Sequence, residues 1–181
     1  MHLFHNNENQ HGSIQHKAKI ADAIMEKMNL TPADSLIDVG SGDGYYSSKF
    51  AEHCEKVLAI ELFSASFDSA FYKNPNITTL DVDACKWILN ADLRAFTHIF
   101  FSNSFHDIQC QNKMLLLFAQ QLPNGAHLNL IEFKPDTPFG PPRHIRFSKE
   151  ELKSTIEAYG FKEDAYIDLN THYFVSLKLV K

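Results

Sequence analysis

The sequence has no run approaching the eighteen or so apolar residues that a membrane-spanning helix requires, so no helical span is expected. It also lacks the basic and apolar segments of an export leader. The first residues include His2, Asn6, Asn7, Glu8, Asn9 and Gln10, and a cytoplasmic protein is expected. Cysteine is scarce: Cys54, Cys85 and Cys110 are odd in number, widely spaced and without a Cys-x-x-Cys pair. They read as small core residues rather than disulfide partners or metal ligands. Basic charge is scarce too, with 17 Lys and Arg against 22 Asp and Glu and a net charge of −5. Neither a nucleic-acid backbone nor a membrane surface is therefore an expected partner, and a small-molecule substrate is. The pairs His2/His5 and His11/His16 match no metal-binding spacing, so no metal is expected. Oligomeric state is not legible.

What is present fits one ordinary globular domain over residues 1–181, with 44% apolar and 22% charged residues. Residues 1–12 are polar and read as a flexible arm. Residues 13–30 read as an N-terminal helix, because Ile14, Ala18, Ala21, Met25 and Met28 recur at steps of three and four. Residues 31–181 alternate strand and helix signals, which predicts a parallel sheet with helices on both faces. Predicted strands run over 35–39, 57–60, 77–80, 98–101 and 127–131. Predicted helices run over 45–54, 64–72, 84–89 and 112–121. Residues 134–146 hold four of the seven prolines and read as an ordered loop. Ser148 and Glu151 then spell a capping box, and Gly160 ends the helix. Two closing strands, 161–169 and 172–179, are joined only by Asn170-Thr171 and must be antiparallel.

The most informative segment is Leu36-Ile37-Asp38-Val39-Gly40-Ser41-Gly42-Asp43-Gly44. A buried strand delivers an acid, then three alternate glycines, then a helix. Glycines allow a ligand to press against bare main chain at the carboxyl end of the strand, where open parallel sheets bind ligands. A dinucleotide fingerprint would put its third glycine at Tyr45, one position later than Gly44. A P-loop fails because no Gly-Lys-Ser/Thr follows. Glu61 ends the next strand, where a carboxylate can accept both hydroxyls of a ribose. Asp83 follows the third strand, where an acid can receive the exocyclic amine of a purine.

These residues resemble the class I S-adenosylmethionine-dependent methyltransferases, particularly their type 11, ubiquinone/menaquinone-biosynthesis-like branch. Phe100-Phe101-Ser102-Asn103-Ser104-Phe105-His106-Asp107 resembles that family's fourth motif, and Pro123-Asn124-Gly125 the turn before its fifth strand. Thr137-Pro138-Phe139-Gly140-Pro141-Pro142 with Ser148-Lys149-Glu150-Glu151 resembles a segment of its small members. The resemblance implies a Rossmann-like α/β fold with seven strands in the order 3-2-1-4-5-7-6, the seventh antiparallel. It implies S-adenosylmethionine as cofactor, with S-adenosylhomocysteine as product. The cofactor would be held by Asp38, Gly40, Ser41, Gly42, Gly44, Glu61, Leu62, Asp83 and Ala84, with Ser102 and Asn103 completing the floor.

Candidates for the chemistry lie beyond the fourth strand. His106 is either a general base, its free pKa lying near working pH, or a histidine bonded into the loop to shape the pocket. Asp107 either assists it or caps the next helix. Arg143, His144 and Arg146 could hold an acidic acceptor or could simply tie down a surface loop. Glu132, ending the fifth strand, is a pocket-edge candidate. Two other readings of the whole chain are a non-catalytic protein that binds the cofactor and an NAD-type oxidoreductase.

Overall fold

The computed structural model describes residues 7–181, with side chains described from residue 18 onward apart from 64 and 68. Of the expected arm, residues 1–6 lie outside the described residues. Helix α1 (Asn7–Met28) begins ahead of the apolar spacing that revealed it. The first half of the sheet is β1 (Ser35–Val39), β2 (Lys56–Glu61), β3 (Ile77–Asp81) and β4 (His98–Ser102). The second half is β5 (His127–Phe133), β6 (Phe161–Leu169) and β7 (His172–Leu179). Their order is β3-β2-β1-β4-β5-β7-β6. The first five strands pair in parallel, and β7 pairs antiparallel with both β5 and β6. The fold expected from the resemblance is the fold observed.

The pleat sorts side chains to two faces. Ile37, Val39, Ile99 and Phe101 enter one buried layer with Met114 and Phe118 of α4 (Gln111–Gln121) and Leu152 and Ile156 of α5 (Lys149–Glu157). Leu36, Phe100 and Phe174 enter the other, with Ile24 of α1 and Phe50 of α2 (Tyr45–Phe50). The capping box forms: the Ser148 hydroxyl accepts the Glu151 N–H, and Glu151 accepts the Ser148 N–H in return.

Several sequence expectations change: residues 7–12, expected in the flexible arm, belong to α1, and the helix expected over 45–54 ends at Phe50. The helix expected over 64–72 is a pair of 3-10 turns, Ser64–Asp68 and Ala70–Lys73. They are split at Ser69, whose backbone is extended and whose hydroxyl accepts the Phe71 N–H. A residue that competes for backbone hydrogen bonds favours a cap over helix continuation. Cys85 and Cys110, expected as separate core residues, are joined by a disulfide with Cα atoms 5.8 Å apart. The fold brings the short helix α3 (Ala84–Trp87) against the start of α4, which a separation of 25 residues conceals.

Candidate active site

Because β1 to β4 run parallel, their carboxyl ends deliver four loops to one edge of the sheet. Two cavities of about 520 and 500 Å³ open there. They meet at Gly40, Gly42, Ser102 and Asn103, which line both. Glu61, Leu62, Asp83, Ala84 and Asp107 line the first, and Asp38 and Ser41 line the second. Segments far apart in sequence thus share one hollow.

A Cβ built on Gly42 meets nothing within 4 Å, so its bare backbone, at a φ of 55°, faces open space. That is a cradle a ligand can fill. Gly44 is glycine for another reason. It lines neither cavity, and a Cβ there would lie 2.6 Å from the Tyr72 ring. The Tyr72 hydroxyl donates to the Gly42 carbonyl at 2.7 Å and lies 2.8 Å from the Ser41 hydroxyl. Tyr72 therefore props the glycine loop from behind. Sequence reasoning missed it, because the residue sits in the segment read as a helix and its aromatic side chain reads as packing.

The acids are held in different ways. Glu61 accepts the N–H of Gly42 at 2.9 Å, of Leu62 at 2.8 Å and of Phe63 at 3.2 Å, which fixes its carboxylate in one orientation. Asp83 caps α3 by accepting the Cys85 N–H at 2.8 Å. Asp38 is 1% exposed. One of its oxygens accepts the Ser47 hydroxyl at 2.6 Å, and the other has no hydrogen-bond partner among the described residues. Burial lifts its pKa to about 7 against the Ser47 bond, and the charges of Glu61 and Asp43 push in the same direction as burial. Asn103 sits at a positive φ of 53°, its N–H bonded to the Ile131 carbonyl and its buried side-chain oxygen without a partner among the described residues. A bare cradle beside a half-satisfied buried acid fits a polar ligand carrying positive charge.

His106 lines neither main cavity. Its Nδ1 lies 2.6 Å from Glu132 Oε2, its backbone N–H donates to Oε1, and its Nε2 lies 3.5 Å from Asp107. The Glu132 hydrogen bond raises the His106 pKa against the opposing effect of burial, with the charges of Glu132 and Asp107 adding to the rise. Glu132 is itself 1% exposed. The pair clamps the turn after β4 to the end of β5. His106 instead borders a smaller cavity of about 390 Å³ shared with His144 and Arg146. Arg146 donates to the carbonyls of Pro141 and Thr137 at 2.7 and 2.8 Å and to the Thr137 hydroxyl at 2.9 Å, which braces the proline-rich loop. Arg143 and His144 are exposed on that loop. The structure thus gathers the expected cofactor residues, Gly44 excepted, and keeps His106, Glu132, Arg143, His144 and Arg146 outside the hollow.

Comparison with known proteins agrees with this geometry. The Ribosomal RNA adenine dimethylase family model matches residues 4–181. A Dictyostelium discoideum protein described as a probable dimethyladenosine transferase is 34% identical over 61 residues, 34% of this chain and 19% of that protein. A dimethyladenosine transferase of Chaetomium thermophilum is 46% identical over 43 residues, 24% of this chain and 11% of that protein. The chain thus matches a fifth or less of the length of these curated relatives. A SAM-dependent methyltransferase from Aquifex aeolicus shares the fold with a TM-score of 0.75, at 21% identity over 88% of this chain and 89% of that one. The fold is that of the class I S-adenosylmethionine-dependent methyltransferases. Within that class, the chain belongs to the ribosomal RNA adenine dimethylase family.

That membership corrects the expectation of a small-molecule substrate and no nucleic-acid partner. A net charge of −5 averages over the whole surface. It counts carboxylates gathered around the hollow as if they faced a nucleic-acid backbone.

Three substitutions test the site. Above the ordinary carboxylate value of 3.8 the unfolded chain ionises Asp38, while the folded chain keeps the proton until about pH 7. Asp38 therefore costs stability progressively across that window. Asp38→Asn is expected to flatten this decline in denaturant titrations and to add roughly 1–3 kcal/mol near pH 8, while weakening S-adenosylmethionine binding. Tyr72→Phe keeps the ring and is expected to lower that affinity about fivefold by calorimetry, the scale of one hydrogen bond. His106→Ala leaves the buried Glu132 with only the backbone N–H of residue 106 as a partner and removes the imidazole from Oε2. It is expected to cost about 3–5 kcal/mol in chemical denaturation, with ligand affinity of the folded fraction within about twofold of the parent.

Proposed function

We propose that the chain transfers methyl groups from S-adenosylmethionine to the exocyclic amine of an adenine in RNA. The family match and the dimethyladenosine transferase relatives support this reading. The narrower type 11 placement expected from the fourth motif and the proline-rich segment is not carried by the family match, which favours the ribosomal RNA branch.

The observation that carries the reading is Asn103 at the seam of the two cavities, its buried side-chain oxygen unpaired among the described residues. An exocyclic amine is a hydrogen-bond donor whose lone pair is partly drawn into the ring. A carbonyl oxygen that accepts one N–H fixes the nitrogen and favours the geometry in which that lone pair is free to attack. When bound, the cofactor supplies an electron-poor methyl carbon and a neutral thioether leaving group. The chain's own contribution is alignment and field. Glu61, already oriented by three backbone donors, suits the ribose hydroxyls, and Asp83 with Ala84 and Leu62 suits the adenine. Asp38, the glycine loop and Asp43 surround the charged end. Ser41 and Ser102 complete the lining, while Gly44 serves indirectly by admitting Tyr72.

The second cavity continues past Asn103 to Tyr46, Ile131, Leu169 and His172, an aromatic and apolar wall suited to a planar base. Outside it, the loop braced by Arg146 displays Phe139, 57% exposed, with Arg143 and His144. These residues can stack a neighbouring base and meet a phosphate beyond the reach of the carboxylates. His106 and Glu132 act as positioning residues, holding the turn that carries Asn103 and Ser104. An RNA acceptor also suits the cytoplasmic location expected from sequence and a single catalytic domain.

Incubation with labelled S-adenosylmethionine and a single-stranded adenine-rich RNA, followed by nucleoside mass spectrometry, is expected to yield N6-methylated adenosine. Labelled products confined to other nucleosides, or to none, contradict the reading. Asn103→Ala is expected to slow transfer about 10²- to 10³-fold, with S-adenosylhomocysteine affinity within about twofold of the parent.

A further inference from the structure

We propose that the Cys85–Cys110 disulfide is a thiol-exchange switch that sets cofactor affinity in the first cavity. The inference rests on the reading that this cavity holds the adenosine end of the cofactor. Cys85 lines the cavity directly after Asp83 and Ala84, and Cys110 follows Ile108 and Gln109, which line it from another segment. The bond thus staples two wall segments 25 residues apart in sequence. Both segments are short, and neither lies within a strand of the sheet. Helix α3 has four residues, below the length at which a helix is stable alone, and the Asp107–Cys110 stretch is a turn leading into α4.

Both bonded cysteines are half-buried, within reach of a small thiol. The third, Cys54, is free but buried in the opposite core layer, so the bond has no nearby thiol with which to reshuffle. In a cytoplasmic chain a disulfide is more often a redox-sensing device than a permanent brace. A dithiol reductant attacks one sulfur as thiolate, forming a mixed disulfide with it and expelling the other protein sulfur as thiolate. Its second thiol then closes its own ring and releases the protein sulfur that was attacked. Two electrons and two protons pass to the chain, which gains two cysteine thiols, while the reductant becomes a cyclic disulfide. Exchange with a low-molecular-weight disulfide reverses the step. In the bonded state the Asp83–Ala84 wall is fixed before the ligand arrives. In the reduced state its ordering is paid out of binding energy, and affinity falls.

The test is S-adenosylhomocysteine calorimetry on the whole chain, oxidised and then reduced with a phosphine, with free thiols counted by alkylation and mass spectrometry. Oxidised protein is expected to expose neither Cys85 nor Cys110 to alkylation and to bind about tenfold more tightly than reduced protein. The Cys85→Ser/Cys110→Ser double variant is expected to bind like the reduced form in both buffers, which excludes an effect of the reductant itself. Alkylation of both cysteines without reductant, or equal affinity in the two redox states, overturns the switch alone. No binding in either state overturns the reading of the cavity and the switch with it.

Discussion

A carboxylate placed under a glycine loop, out of water and without a cation of its own, is the constraint around which this molecule is arranged. Asp38 has one oxygen satisfied by Ser47 and one left over, and Glu61 and Asp43 add negative charge beside it. Nothing about the fold requires this. A neutral residue at the end of β1 would pack as well and would remove a penalty that grows as pH rises toward neutrality. The arrangement becomes favourable only when a positive charge enters the hollow, and the sulfonium cofactor of this class supplies one. The rest of the site keeps that hollow open and shaped. Tyr72 supports the loop from behind, three backbone donors hold Glu61, and the His106–Glu132 pair ties the β4 turn to β5.

The acid-lined interior also explains why overall charge misdirected the expectation about partners. Carboxylates gathered to hold a cation sit at the bottom of a cavity, whereas a polyanion meets the rim. Under the proposed function, the base alone enters, and its backbone stays near the exposed Phe139, Arg143 and His144. Recognition of RNA through an inserted base and a small aromatic and cationic edge leaves little trace in composition.

The sheet was largely legible in the sequence because its evidence is local and redundant. Strand periodicity, the glycine punctuation after Val39 and the two-residue link at Asn170-Thr171 each constrain the topology independently. The site was legible where one strand end carries one acid, as with Asp38, Glu61 and Asp83. It was illegible where function depends on a meeting of segments that no spacing announces. Tyr72 reaches the glycine loop from a segment read as one helix, and Cys85 meets Cys110 across 25 residues. His106 and Glu132 are intermediate. Each was noticed alone, and the adjacency of β4 and β5 in the expected order already implied that their ends could meet. Arg146 is the reverse case, since an arginine in a proline-rich loop invites a ligand yet is spent on the loop's own carbonyls.

The most direct measurement of the central claim is the proton balance of S-adenosylmethionine binding, obtained by calorimetry in buffers of different ionisation enthalpy. If the incoming cation completes Asp38, binding expels a fraction of a proton near pH 7, and that fraction grows toward one as the solution is made a unit more acidic. Binding whose heat is independent of buffer across this range would mean that the buried acid does not answer to the cofactor's charge.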